Sequence, residues 1–197
     1  MGDPVNPDDL LWIDYRVYDD NTDLLLEEKI NKLISVEKST FPSDVKEQLL
    51  KSSKGDSVSV VVDKPYGDRD PNKIRVVPLR SFHANRVNPY PGLPVMLDGL
   101  MAVVKSVNGG RVIVDFNHPF AGRRVRYVIT IREIVSDPAQ KIKAIGKVFS
   151  IDENDISIDK DGNTYVVHVD PEKYKNVLDS FKANVVYFLP NMKVRFE

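Results

Sequence analysis

Few side chains in this 197-residue sequence are placed to do covalent chemistry. There is no cysteine, so thiolate nucleophiles, disulfides and a zinc ribbon are all excluded. The three histidines, His83, His118 and His168, share no spacing that would bring two of them onto one metal ion. Asp152-Glu153-Asn154-Asp155 and Asp159-Lys160-Asp161-Gly162 are as oxygen-rich as a calcium loop. Their glycine is misplaced and flanking helices are missing, so both read as hairpin turns. Arg123-Arg124-Val125-Arg126 would suit a phosphate backbone, but arginines are ordinary on the solvent face of a strand. The 28 basic and 29 acidic residues leave a net charge of −1, which gives nucleic-acid binding no support. No metal, cofactor or nucleic acid is expected.

The elements that must position a site are legible from periodicity. Asp115-Phe116-Asn117-His118-Pro119-Phe120-Ala121-Gly122 is a turn, with an extended approach set by His-Pro and a tight backbone at Ala-Gly. It delivers the chain into a strand in which Val125, Tyr127, Ile129 and Ile131 alternate with polar residues. Leu10–Tyr18 and Ser57–Val62 alternate in the same way, while Leu24–Ile34 has apolar residues at helical spacings. Ser43 is a suitable N-cap for a short helix to Leu50, with Val45 and Leu49 on its buried face and Gly55 closing the region. The length allows one to two domains. No apolar run approaches the roughly 18 residues of a membrane span and no leader-like segment opens the chain, so the expected place is the cytoplasm, away from membranes.

Two blocks carry a family resemblance. Asn117-His118-Pro119-Phe120-Ala121-Gly122 before its strand, and Pro65-Tyr66-Gly67 leading to Ile74-Arg75-Val76-Val77-Pro78, resemble the SlyD-like branch of the FKBP peptidyl-prolyl isomerases. The resemblance implies an α+β, mostly β fold: an antiparallel half-barrel wrapped on one helix, formed by residues 5–78 and 117–138. It implies rotation of X-Pro bonds in unfolded polypeptides, with Tyr66, Tyr15 and Tyr127 as catalytic residues. Phe41, Pro42, Val45, His118, Phe120 and Leu24 are the implied substrate-binding residues. The sequence departs from the family pattern in three ways. Leu24 and Leu25 stand where a Phe-Asp pair is usual, with Asp23 and Glu27 as the nearby acids open to substitute, the Pro-Gly before the helix is missing, and Val45 is small for a pocket floor. These departures predict weak activity. They also leave open a folding helper or scaffold whose isomerase site has decayed.

Between Pro78 and Asn117 the chain is far longer than an ordinary connection and too apolar to be a loop. Val95–Leu97, Met101–Val107 and Arg111–Phe116, with a turn at Asn108-Gly109-Gly110, read as an inserted small β-domain over 79–116. It resembles the insert-in-flap domain of the same branch, which implies binding of extended polypeptide. Phe82, Tyr90, Leu93, Met96, Leu97 and Met101 are the expected chaperone surface, about half of such residues also serving as the insert's own core. Residues 139–197 read as a C-terminal β-rich domain with one helix, resembling the extra domain of long archaeal relatives. Ile142–Ile151, Ile156–Ile158, Tyr165–Val169 and Val185–Leu189 are its expected strands. Asp170 and Pro171 open the helix, which carries Tyr174, Val177, Leu178 and Phe181 on one face. An exposed strand edge there makes homodimerisation the expected mode of self-association.

Overall fold

A computed structural model describes residues 4–197. Strands β1 (Leu10–Asp19) and β2 (Leu25–Ser35) form a long antiparallel hairpin, followed by helix α1 (Ser43–Leu50) and strand β3 (Ser57–Asp63). Next come β4 (Ile74–Pro78), helix α2 (Leu79–Ala84) and strands β5 (Pro94–Leu97), β6 (Leu100–Asn108) and β7 (Arg111–Asp115). Strand β8 (Arg124–Val135) leads into helix α3 (Pro138–Val148), and β9 (Ser157–Asp161), β10 (Thr164–His168), helix α4 (Leu178–Phe188) and β11 (Lys193–Phe196) complete the order. The class is α+β and mostly β, as expected. Two compact units divide the chain: Met1–Val62 with Arg126–Glu197, and Asp63–Val125.

The first unit centres on a four-stranded sheet in the order β2-β1-β8-β3. Leu10, Leu11, Trp12 and Ile13 are buried in succession, which requires cover on both faces of β1 because side chains alternate along a strand. The periodicity of Leu24–Ile34 suggested a helix, but this stretch is β2. The register against β1 slips between Ile13 and Tyr15, where Asn31 adopts φ 53° and donates its N–H to the Asp14 carboxylate at 2.7 Å. An extra residue at such a bulge breaks the period-2 pattern and produces helix-like spacing. The Asn31 N–H and then the Arg132 guanidinium hold the Asp14 carboxyl below its usual range. Ser43 is the first helical residue of α1 rather than its cap, a place taken by Pro42 without a side-chain bond. Val45 and Leu49 are buried, as expected.

The C-terminal stretch holds two helices, where one was expected, and three short strands. Ile142–Ile151, expected as a strand, lies largely in α3. Asp137 accepts the Gln140 N–H at 2.8 Å and Pro138 opens the helix, a start signal that outweighs the β-branched residues. Gly146 lets this helix approach closely, since a Cβ there would lie 2.4 Å from the Ile156 side-chain tip. Val185–Leu189 also read as a strand, but Val185 continues the buried face of Phe181 one turn on, so α4 runs through it to Phe188. Asp170 accepts the N–H groups of Glu172 and Lys173, yet caps only a run of turns before α4 begins at Leu178. Asp152 likewise caps a 3-10 turn over Glu153–Asp155, whereas Gly162 does sit in a hairpin turn between β9 and β10. The core of this region is continuous with the sheet: Leu10, Trp12, Leu33 and Val135 cluster with Ile142, Ile145, Ile156, Phe181 and Val185.

In the second unit a four-stranded sheet runs β4-β7-β6-β5. Ile74–Pro78, read as the last strand of the isomerase core, pairs along its whole length with β7 and so belongs to this sheet. The Asn108-Gly109-Gly110 turn joins β6 to β7 as anticipated. Val112, Val114, Ala102 and Val104 point inward onto Phe82 of α2.

Candidate functional site

In the first unit, β1 presents Tyr15, β8 presents Tyr127, and the segment leading into α1 presents Phe41. The Phe41 ring meets Tyr15 edge-on at 5.3 Å and Tyr127 edge-on at 5.9 Å between centroids, both favourable aromatic geometries. Tyr127 and Val45 are fully buried, while Tyr15, Phe41 and Pro42 are half-buried. The Tyr15 hydroxyl donates to Glu27 Oε1 at 2.8 Å. That bond supplies a carboxylate to the tyrosine although Leu25 stands at the position where the sequence comparison expected one. Glu27 faces it because β2 pairs with β1 here, with Val17 opposite Glu27. Leu24 lies on the turn before β2 and is exposed. Arg126 ion-pairs with Asp20 and Asp23 and lies over the Tyr18 ring, which accounts for one arginine of the basic cluster.

A second aromatic group stands in the Asp63–Val125 unit. Tyr66 stacks parallel on His118 with centroids 4.1 Å apart, and Phe120 meets both edge-on at 5.6 and 5.4 Å. His118 Nδ1 accepts the Phe120 N–H at 3.2 Å, fixing the imidazole plane. The two signature blocks are held together by side chain and backbone. Asn117 accepts the Asp70 N–H at 2.9 Å and donates to the Asp70 carbonyl at 3.0 Å, as well as to Asp115 Oδ1 at 2.8 Å. Asp115 is buried and also meets the Arg69 guanidinium. The Gly122 N–H reaches the Gly67 carbonyl at 2.7 Å, and at φ +76° a Cβ would press within 3.3 Å of Arg69 Cγ. The Asn and Gly of the motif therefore act as clamps that set Tyr66 beside His118. Asn117→Ala removes three bonds and leaves buried polar groups unsatisfied, so a loss of about 2–3 kcal/mol is expected in urea unfolding.

The same unit displays the insert surface unevenly. Met96 and Met101 sit directly opposite each other on β5 and β6 and are 62 % and 61 % exposed. Tyr90 is exposed, and Leu93 and Leu97 are half-buried against the inner core. Phe82, expected on the surface, is only 3 % exposed because α2 turns it under the sheet. Sequence reasoning missed Val76 and Ile113, cross-strand partners that join the methionines on the outer face. Their alternation with half-buried Val77 and buried Val112 and Val114 was the available signal. Beside β5 an open cavity of about 660 Å³ is lined by Phe82, Asn85, Leu93, Val95 and Met96.

The family model described as FKBP26, IF domain matches residues 75–120. The chain is 26 % identical over 146 residues to the short-type peptidyl-prolyl cis-trans isomerase of Methanocaldococcus jannaschii, covering 68 % of this chain and 92 % of that protein. It is 34 % identical over 86 residues to the FKBP-type 16 kDa peptidyl-prolyl cis-trans isomerase of Escherichia coli K12. That second match covers 41 % of this chain and spans 56 % of the relative's length.

Proposed function

We propose, for a chain that belongs to the FKBP-type peptidyl-prolyl isomerase family, that it rotates X-Pro bonds in unfolded polypeptides and holds those polypeptides on its insert. The isomerase reading rests on the Tyr15–Phe41–Tyr127 cluster with its Glu27 anchor. Amide rotation faces a barrier of about 18–20 kcal/mol because resonance stiffens the C–N bond. An apolar, water-poor surface disfavours the polar planar amide relative to the twisted one, so binding energy is spent on the transition state. The resemblance also gives a tyrosine hydroxyl the task of fixing the carbonyl beside the proline, and Tyr66 is the residue we assign to it. Such a reaction draws on no nucleophile. The small Val45 and the displaced carboxylate keep the activity weak.

A protease-coupled assay on an Ala-Leu-Pro-Phe-type peptide tests this. Tyr66→Phe keeps the ring and its stack on His118 but removes the hydroxyl. A fall of about tenfold in kcat/KM is expected, equal to about 1.4 kcal/mol of transition-state stabilisation. A variant as fast as the parent, still binding peptide, would remove Tyr66 from the mechanism.

The chaperone reading is favoured by a separate observation, the exposed Met96–Met101 pair beside the β5 edge. Flexible thioethers adapt to many sequences, and an edge strand accepts backbone hydrogen bonds from an extended chain. We assign the protein on these grounds to the insert-bearing, SlyD-like branch, with the long C-terminal extension of archaeal forms.

A further inference from the structure

The insert is charged differently from the rest of the chain. Residues 74–114 hold five cations, Arg75, Arg80, Arg86, Lys105 and Arg111, against a single acid, Asp98. Their net charge is +4 in a chain whose total is −1, so everything outside this stretch sums to −5. All five cations are exposed. Arg75 lies over the Phe116 ring, 4.9 Å from its centroid. Arg80, Lys105 and Arg111 take part in no ion pair among the described residues. Cations elsewhere do meet acids: Arg16 pairs with Glu28, Arg132 with Asp14 and Lys173 with Asp155.

The unpaired cations border the apolar outer face. Val76 and Ile113 are direct partners on β4 and β7, and Arg111 stands two residues from Ile113 on the same face, opposite Pro78. An open cavity of about 540 Å³ is lined by Val76, Leu79, Arg80, His83 and Arg111. A second, of about 450 Å³, shares Val76 and Arg111 and adds Ser106 and Ile113. Apolar side chains and guanidinium groups therefore line the same two adjoining depressions. Lys105 stands at the break in register between Val104 and Ser106, next to the second of them.

We propose that the insert selects extended polypeptides whose apolar residues are flanked by aspartate or glutamate. This rests on the chaperone reading and names its client class. Carboxylates match the planar guanidinium fork, and a surface of one sign draws acidic chains in while repelling basic ones. The exposed row beside the cations is aliphatic and thioether: Val76, Ile113, Met96 and Met101. That row offers bases no aromatic platform for stacking, so an acidic polypeptide fits it better than a single-stranded nucleic acid.

Fluorescence anisotropy on the full chain tests this with two unstructured, proline-free peptides that share one apolar sequence. One is flanked by Asp and Glu, the other by Lys and Arg. The acidic peptide is expected to bind about tenfold more tightly at low salt, and the preference should shrink as added salt screens exposed charges. Arg80→Glu, Lys105→Glu and Arg111→Glu together turn the insert net negative and are expected to reverse the order. The milder pair Arg80→Gln with Arg111→Gln alters only exposed side chains, should leave the urea midpoint near the parent's, and is expected to cut the preference to about threefold or less. Equal affinities in the parent, or a preference that survives both sets of changes, overturn the proposal and leave the chaperone reading standing. If neither peptide binds, the chaperone reading itself falls and the proposal with it. A single-stranded oligonucleotide that binds more tightly than the acidic peptide, and is released by the triple change, would assign the cations to nucleic acid and overturn the proposal as well.

Discussion

Deleting residues 139–197 is expected to leave a chain that no longer folds cooperatively, although the sequence reads that stretch as a domain of its own. Leu10 and Trp12 of β1, Leu33 of β2 and Val135 of β8 share one core with Ile142, Ile145, Ile156, Phe181 and Val185. Cutting after Pro138 turns those four sheet residues to water. Each forfeits about 1.5–3 kcal/mol of burial, so the loss is on the order of 6–12 kcal/mol. Domains of this size are stable by only about 5–15 kcal/mol, so the deletion removes most or all of the margin. A milder probe within the full chain is Phe181→Ala, a fully buried ring whose loss should cost about 3–5 kcal/mol. Urea unfolding followed by near-ultraviolet circular dichroism reads both. A 1–138 fragment that unfolds in one sharp transition near the parent midpoint would show the two regions to be independent.

That shared core was hidden from the sequence for a physical reason. Alternation along β1 shows that Leu10 and Trp12 share one face and Leu11 and Ile13 the other, but not what covers each face. Strands whose burial alternates, such as Ser57–Asp63 and most of Arg124–Val135, were legible because one face is more covered than the other. Leu25–Ser35 was not, because the bulge at Asn31 shifts the phase of its apolar residues midway. Asp137-Pro138 was a readable helix start for α3, and the β-branched residues after it drew attention away.

The site was legible as residue types and illegible as contacts. Tyr66 and Tyr127 were named from the two motif blocks and the strand that follows, Tyr15 and Phe41 from the family's first strand and helix entry. Leucine takes the family's carboxylate position at Leu25, Asp23 and Glu27 were the nearby acids, and the structure bonds Tyr15 to Glu27, opposite Val17 across the hairpin. Cross-strand register decides that: Val17 lies opposite Glu27, and the register slips by one residue between Val17 and Tyr18. Asn117 shows the converse. The motif marked it, but only its bonds to Asp70 and Asp115 show that it holds the two blocks together.

Replacing residues 75–114 with Asn-Gly should abolish suppression of client aggregation while leaving the remainder folded. The choice of ends follows from the ladder. Ile74 and Asp115 are direct partners on β4 and β7, so their Cα atoms lie about 5 Å apart and a two-residue turn spans them. Cutting at 79 and 116 instead would strand β4 without its neighbour and discard Asp115, which anchors Asn117 and Arg69. The shortened chain keeps Tyr66, His118 and Phe120 and loses the whole Met96–Met101 face together with Val76 and Ile113. A finer variant, Met96→Ser with Met101→Ser, touches exposed side chains and should change stability by less than about 1 kcal/mol. It should still weaken protection several-fold, because adaptable apolar area is what an unfolded client binds. Light scattering of a reduced, aggregating client at fixed chaperone ratios measures both effects, with isomerase activity followed in parallel. If the shortened chain protects the client as well as the parent does, the binding face lies outside the insert, and the exposed Val186 and Tyr187 of α4 become the next place to substitute.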